Sequence, residues 1–241
     1  MTSSENSETP LSHSDFHGHK ITHPDSPLYR MVLDEVFSGE AYPLDWLGAF
    51  VPTVIFDVGA NIGTTAIYFH HHCPQATIHC YEPDPFNLQL LEQNTYGIDQ
   101  ITIHPFGLHL KNDQMPLYQG PHGTAENTLF SDAPAPFQVV PVRRASEAVA
   151  ETGVPQISIL KIDVEGAESL ILLDLFSSGN LPIPIGAILI EHHADHQKKW
   201  IDQYLAEFYQ VFPIQSPMPH RGTRLYVLKQ LLPIIRPPQT T

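Results

Sequence analysis

A chain of 241 residues with 42% hydrophobic content can bury one sizeable core and falls short of two comfortable domains. Its formal net charge is -14, from 12 basic against 26 acidic residues, which argues against a nucleic-acid partner because no basic stripe is available to meet phosphates. The same balance suits a small neutral or cationic ligand.

Residues 1–27 are rich in Ser, Thr, His and Pro and are expected to be a mobile segment. "LYRMVLDEVFSG" carries Leu28, Met31, Val32, Glu35 and Val36 at helical spacing and stops at Gly39, a suitable helix C-terminus. From Thr53 the text alternates between β-rich apolar runs and helical patterns. "TVIFDVG" precedes a helix reaching about His70, "ATIHCYEP" precedes "DPFNLQLLEQNTYG", and "ITIHPFGLHL" reads as a third strand. Periodicity then fails from Lys111 to Phe137, where a loop insertion is expected, before "QVVPV" as an extra edge strand and "ASEAVAETG" as a short helix. "ISILKIDVEG" and "IGAILIEHH" are strongly apolar strands, followed by the helices "AESLILLDLFSSG" and "HQKKWIDQYLAEFYQ". "FPIQSPMPHRGTRLYVLK" reads as two closing strands, and residues 233–241 as a Pro-rich tail. The pattern predicts one α/β domain over residues 28–232, with a mainly parallel sheet covered on both faces and an antiparallel edge.

Cys73 and Cys80 cannot staple a fold of this size and read as reduced thiols. There is no signal-peptide pattern, and the longest apolar runs fall far short of the ~20 residues that span a bilayer, so a soluble cytoplasmic protein is expected.

In an open α/β sheet, ligands bind beyond the carboxyl ends of the strands, near the point where strand order reverses. The first such loop reads "DVGANIG": Asp57 closes the strand, Gly59 turns, Ala60 and Asn61 keep the loop small, and Gly63 lets the helix approach the sheet. A dinucleotide fingerprint needs G-x-G-x-x-G, whereas this chain has G-x-N-x-G. That spacing leans towards S-adenosylmethionine and away from a nicotinamide dinucleotide. Glu82, in "YEPDP", lies at the usual distance of ~20 residues for a carboxylate that takes both ribose hydroxyls. The plainer reading, an ordinary strand–helix turn with a solvated acid, is weakened by the two features occurring together.

"FDVGANIGTTAIYF", "CYEPDP" and "LKIDVEGAESLILLDLF", with "LIEHH" beyond them, resemble the FkbM-type family of S-adenosylmethionine-dependent methyltransferases over roughly residues 42–226. The resemblance implies the class I methyltransferase fold: a Rossmann-like, doubly wound, three-layer α/β/α domain with a seven-stranded sheet, mostly parallel, whose last strand is antiparallel. It also implies methyl transfer to the hydroxyl of a sugar, polyketide or other natural-product-like small molecule. By position, Asp57, Gly59, Ala60, Asn61 and Gly63 would line the methionine part. Glu82, with Pro83 beside it, would hold the ribose, Asp163 would face the transferred methyl group, and Tyr42 would close over the cofactor. One departure is "RRASEA", where the family commonly has Leu-Asp; Ser146 is expected to cap the short helix there.

An alcohol oxygen needs a proton acceptor, or a metal ion that acidifies it, before it attacks a sulfonium. Asp163 and Glu165 follow one strand, and Glu191, His192 and His193 follow the next. The expected arrangement has His193 or Asp163 taking the proton, with Glu191 orienting the histidine or the substrate. A divalent cation held by Asp163, Glu191 and His193 is the alternative, and no metal is the main expectation. The plainer reading of "DVEGAE" is helix-end capping, which fits Glu168 best. His70, His71 and His72 read as a wet helix end, as do the N-terminal histidines His13, His17, His19 and His23. His122, Glu126 and Asn127 are weak candidates for substrate contact. Arg143, Arg144, Arg221 and Arg224 either meet an acidic substrate or form surface ion pairs.

Overall fold

The computed structural model describes residues 10–120, 123–129, 136–176, 183–214 and 222–237. In chain order the elements are β1 (Leu11–Phe16), β2 (His19–Pro24), α1 (Pro27–Phe37), β3 (Val54–Val58), α2 (Thr64–His72), β4 (Thr77–Tyr81), α3 (Pro85–Asn94), β5 (Ile101–His104), β6 (Gly107–His109), β7 (Asp113–Gly120), β8 (Gly123–Thr128), β9 (Gln138–Arg144), α4 (Ala145–Glu151), β10 (Ile157–Ile162), α5 (Glu168–Phe176), β11 (Ile185–His192), α6 (Asp195–Leu205), β12 (Tyr209–Pro213) and β13 (Gly222–Leu228). Short 3-10 turns follow at Leu44–Leu47 and Lys229–Ile234.

The main sheet has the order β12-β13-β11-β10-β3-β4-β5, and β13 runs antiparallel to both neighbours. Alternate side chains of each central strand feed opposite faces. Ile55, Ile159, Ala187 and Leu189 join the core beneath α1, α2 and α3, while Phe56, Leu160, Ile188 and Ile190 join the core beneath α4, α5 and α6. This is the expected three-layer class I architecture. From β3 the chain winds outwards through β4 and β5, then crosses to β10 and β11, so the order reverses between β3 and β10. A crevice forms at their carboxyl ends.

Several local expectations change. Within residues 1–27, expected to be mobile, β1 and β2 form a hairpin turned at His17 and Gly18, both with positive φ, of 52° and 84°. Phe16 and Ile21 are buried, and Asn94 at the end of α3 substitutes for a neighbouring strand: its side chain accepts from Thr22 N at 2.8 Å and donates to Thr22 O and Ile62 O, each at 2.9 Å. His23 is buried and His19 hydrogen-bonds Asn94 O, while His17 stacks on His71 at 4.2 Å, so these histidines are packing groups. "ITIHPFGLHL" is two strands in different sheets, because the chain bends at Pro105. The region from Lys111 to Phe137 contains β7 and β8, and "QVVPV" lies in β9, inside a second sheet of order β6-β9-β7-β8. Ser146 does not cap α4 with its side chain; Asp174 of α5 accepts from Ser146 N and pairs with Arg144. Within residues 233–237 the chain is tied down at Arg236, whose N donates to Trp46 O. Both cysteines are free, and no helix among the described residues is long and apolar enough to cross a membrane.

Replacing Asn94 by Ala removes three buried hydrogen bonds at ~1 kcal/mol each. Chemical denaturation of Asn94→Ala should show a loss of about 3 kcal/mol, with faster hydrogen exchange at the amides of β2; unchanged exchange there would mean that the hairpin is held by something else.

Candidate active site

The loop after β3 is held from three sides. Gly59 N and Ala60 N both donate to Tyr81 O at 3.0 Å, and Glu82 Oε2 accepts from Asn61 N at 2.8 Å. From below, the Lys161 ammonium donates to Gly59 O at 2.7 Å and stands 2.9 Å from Asp57 Oδ1. Asp57 and Lys161 are direct neighbours in register on β3 and β10, both essentially shut off from solvent. Burial works against the Lys161 charge, but Asp57, Asp163 and Glu191 outweigh it and keep the ammonium above its ordinary pKa. Asp57 was expected to line the cofactor pocket; instead it lies one layer beneath it, as the counter-charge of Lys161.

Gly59 has φ 81°, and a Cβ there would stand 1.8 Å from Asp163 O, so only glycine lets the β3 and β10 loops pass this closely. A Cβ on Gly63 would meet Leu91 and Thr95 of α3, so this glycine admits a helix–helix contact and not, as expected, an approach to the sheet. Asn61 takes φ 49°, and its side chain accepts from Ile62 N and from the Tyr29 hydroxyl of α1.

Two cavities adjoin across this loop and share Gly59, Asn61, Asp163 and Glu165. The first opens between the carboxyl ends of β3 and β4, against Glu82, Pro83, Leu108 and Asn127. The second lies under α1 and is lined by Tyr29, Tyr42, Ala60, Thr65, Lys161 and Glu191. Glu82 is buried, with Oε2 on Asn61 N and Oε1 accepting from Asp84 N at 2.9 Å; burial raises its pKa to about 7 against the pull of those two amides. Each carboxylate oxygen keeps a second acceptor position. Tyr42 is buried in the second cavity, and burial, followed by the fields of Asp163, Glu191 and Asp57, holds its hydroxyl protonated.

The second sheet closes over the first cavity. Asn127 Nδ2 donates to Asp84 Oδ2 at 2.6 Å, Gln138 Nε2 to Asp84 Oδ1 at 3.0 Å, and Thr128 Oγ1 to Glu165 O at 2.6 Å. Asn127 thus acts on Asp84 as well as lining the cavity, and Glu126 reaches the second cavity. His122 lies outside the described residues, as does Arg221. Arg143, Arg144 and Arg224 are engaged by Glu151, Asp174 and Asp202.

Beyond Asp163, Glu165 adopts φ 53°, which turns its side chain back towards His193. His193 Nδ1 lies 3.0 Å from Glu168 Oε1, and Nε2 stands 3.2, 3.7 and 3.8 Å from Glu165, Asp163 and Glu191. Glu191 was expected to orient either this ring or the substrate hydroxyl; the ring's Nδ1 is held by Glu168. Glu168 is completely buried, also accepts from Gly166 N and Gln197 Nε2, and is the residue that sequence reasoning passed over as a simple cap. Burial lowers the His193 pKa, but Glu165, Glu168 and Asp163 outweigh it and push it up to about 11, so His193 carries its proton at neutral pH. His192 faces the other way, against Gly222.

The family model described as "Methyltransferase FkbM domain" matches residues 57–224, more than half of the chain. Among characterised proteins, the 31-O-demethyl-FK506 methyltransferase FkbM of Streptomyces tacrolimicus is 26% identical over 64% of this chain and 72% of its own length. The hexuronic acid methyltransferase AglP of Haloferax volcanii is 26% identical over 64% of this chain and 62% of its own. The crystal structure of an FkbM methyltransferase from Methylobacillus flagellatus superposes with a TM-score of 0.52 at 20% identity, covering 73% of this chain and 43% of that one, which supports the fold. On its matched domain, its glycine loop and its strand-end acids, the chain belongs to the FkbM family of S-adenosylmethionine-dependent methyltransferases.

Proposed function

We propose that this protein transfers the methyl group of S-adenosylmethionine to a hydroxyl of a sugar, polyketide or similar small molecule. The observation that carries the reading is Glu82: a buried strand-end carboxylate, locked to the glycine loop through Asn61 N, lining a cavity at the strand ends with acceptor capacity to spare for a diol. The ribose sits on Glu82 beside Pro83, and the adenine lies towards Leu108 and beneath Asn127. The methionine part passes Gly59, Ala60 and Asn61 into the second cavity, where Tyr42 and Thr65 receive it and Asp163 faces the methyl group.

In-line displacement draws most of its acceleration from holding the two partners in place. The acceptor enters the second cavity under α1, where Glu35, Glu126, Asp163, Glu165 and Glu191 supply carboxylates and Lys161 is the cation. That lining favours a neutral or cationic small acceptor over RNA or an acidic sugar. Since His193 is already protonated, the hydroxyl proton passes to the carboxylates of Asp163 and Glu191, with His193 holding their charge in place. O-methylation is supported by the Streptomyces relative, a 31-O-demethyl-FK506 methyltransferase.

Thermal-shift titration tests the cofactor directly, because a ligand that binds only the native state raises its stability with the logarithm of concentration. S-adenosylmethionine and S-adenosylhomocysteine should each raise the melting temperature and NAD should not; indifference to both sulfur nucleosides would overturn the reading. Only the ionised Glu82 accepts from both ribose hydroxyls, so with a pKa of about 7 S-adenosylhomocysteine affinity should rise about tenfold from pH 6 to pH 8. Calorimetry on Glu82→Gln should find that slope abolished and binding weakened at least ~10-fold; a wild-type pH profile in this variant would remove Glu82 from the ribose site.

A further inference from the structure

We propose that Asp163, Glu191 and His193, with Glu165 as a fourth donor, form a divalent-cation site at the inner wall of the second cavity. One ligand atom each from Asp163, Glu191 and His193 lie within 4.8 Å of one another. Donors bound to a single hard ion at ~2.1 Å stand ~3.0 Å apart when adjacent and ~4.2 Å apart when opposite. His193 Nε2 lies 3.7 Å from Asp163 Oδ1, 3.8 Å from Glu191 Oε1 and 3.2 Å from Glu165 Oε2. The first two separations are too long for hydrogen bonds and fall inside the window for atoms sharing an ion.

The histidine supplies a second, independent observation. Among the described residues its Nε2 is sealed from solvent and has no aligned hydrogen-bond partner, the nearest carboxylate oxygen being Glu165 Oε2 at 3.2 Å. Its Nδ1 is anchored to Glu168 Oε1 at 3.0 Å, and Glu168 is itself fixed by Gly166 N and by Gln197 Nε2 at 2.8 Å. A carboxylate behind one ring nitrogen fixes the tautomer and aims the other at a metal. Nothing in a capping role requires Glu168 to hold His193 in this way.

Charge points the same way. Asp163, Glu165, Glu168 and Glu191 crowd around one imidazole, with the Lys161 ammonium 4.0 Å from Asp163 Oδ2 and already shared with Asp57. When a divalent ion binds, the Nε2 proton leaves to solvent and two positive charges replace one. Three carboxylates and one imidazole make a donor set suited to Mg²⁺ or Mn²⁺. With the ion bound, Asp163 and Glu191 serve as ligands in place of proton acceptors, and an acceptor hydroxyl on the ion is acidic enough to lose its proton to water instead. That use rests on the methyltransferase reading, whereas binding of the ion does not.

The test uses the full chain, stripped with a chelator and titrated with Mn²⁺ at pH 7.5, with free Mn²⁺ read by electron paramagnetic resonance. The expected result is one tightly bound equivalent, with binding weakened at least ~10-fold in Glu191→Gln and in His193→Gln. The surface variant Glu207→Gln should bind as the parent does. Should His193→Gln fail to fold, Glu191→Gln, at a side chain 23% exposed, carries the test, with circular dichroism confirming its fold. Absence of a stoichiometric site, or equal binding by parent and Glu191→Gln, overturns the proposal. S-adenosylhomocysteine affinity measured on the same samples keeps the two readings apart, since it reports the cofactor cavity and not the metal.

Discussion

The ion pair between Asp57 and Lys161 is the constraint on which the site is built. The two side chains are register partners on adjacent parallel strands at the point where strand order reverses, and both are removed from water. Such a pair is a weak source of net stability, because desolvation offsets most of its attraction. Its value here is positional. The Lys161 ammonium has a third partner in Gly59 O, so the charges beneath the sheet's end fix the height and tilt of the glycine loop above them. Breaking the pair would leave one charge buried alone, which is costly, so the loop inherits the rigidity of the sheet.

From that fixed loop the site extends in two directions. Glu82 takes Asn61 N on one side and faces the first cavity; Asp163 passes against Gly59 on the other and faces the second. Glycine at position 59 is demanded by this contact between two backbones. The second sheet then straps the arrangement together, since Asn127 and Gln138 hold Asp84 while Thr128 holds Glu165 O at the far end of the crevice. An insertion without apolar periodicity is what such a strap should look like: it covers a polar crevice and packs little into the core, with Leu117 its buried apolar contribution from β7.

The layers, the glycine loop and Glu82 were legible in the sequence because each depends on local pattern: continuous apolar strands, a turn with small residues, an acid at a strand end. The hairpin of β1 and β2 was hidden because its sheet partner is a side chain, Asn94, more than 70 residues away. The "HG" turn and the buried Phe16 and Ile21 were its faint signals. Lys161 and Glu168 were missed for related reasons. A lysine inside an apolar strand identifies its partner only once the register sets it beside Asp57, and an acid at a helix start is ordinarily a cap. Glu168 does accept from that turn; its hold on His193 and Gln197, 25 and 29 residues onward, appears only when β11 and α6 fold against it.

The account makes the loop from Gly59 to Gly63 a preformed cradle, so the structure of the complex with S-adenosylhomocysteine tests it most directly. It should show both ribose hydroxyls on the Glu82 carboxylate, the methionine part beside Tyr42, and a loop backbone displaced by less than ~1 Å with the Lys161 contacts to Asp57 and Gly59 intact. A nucleoside bound away from Glu82, or a loop that must break from Lys161 to admit it, would contradict the account.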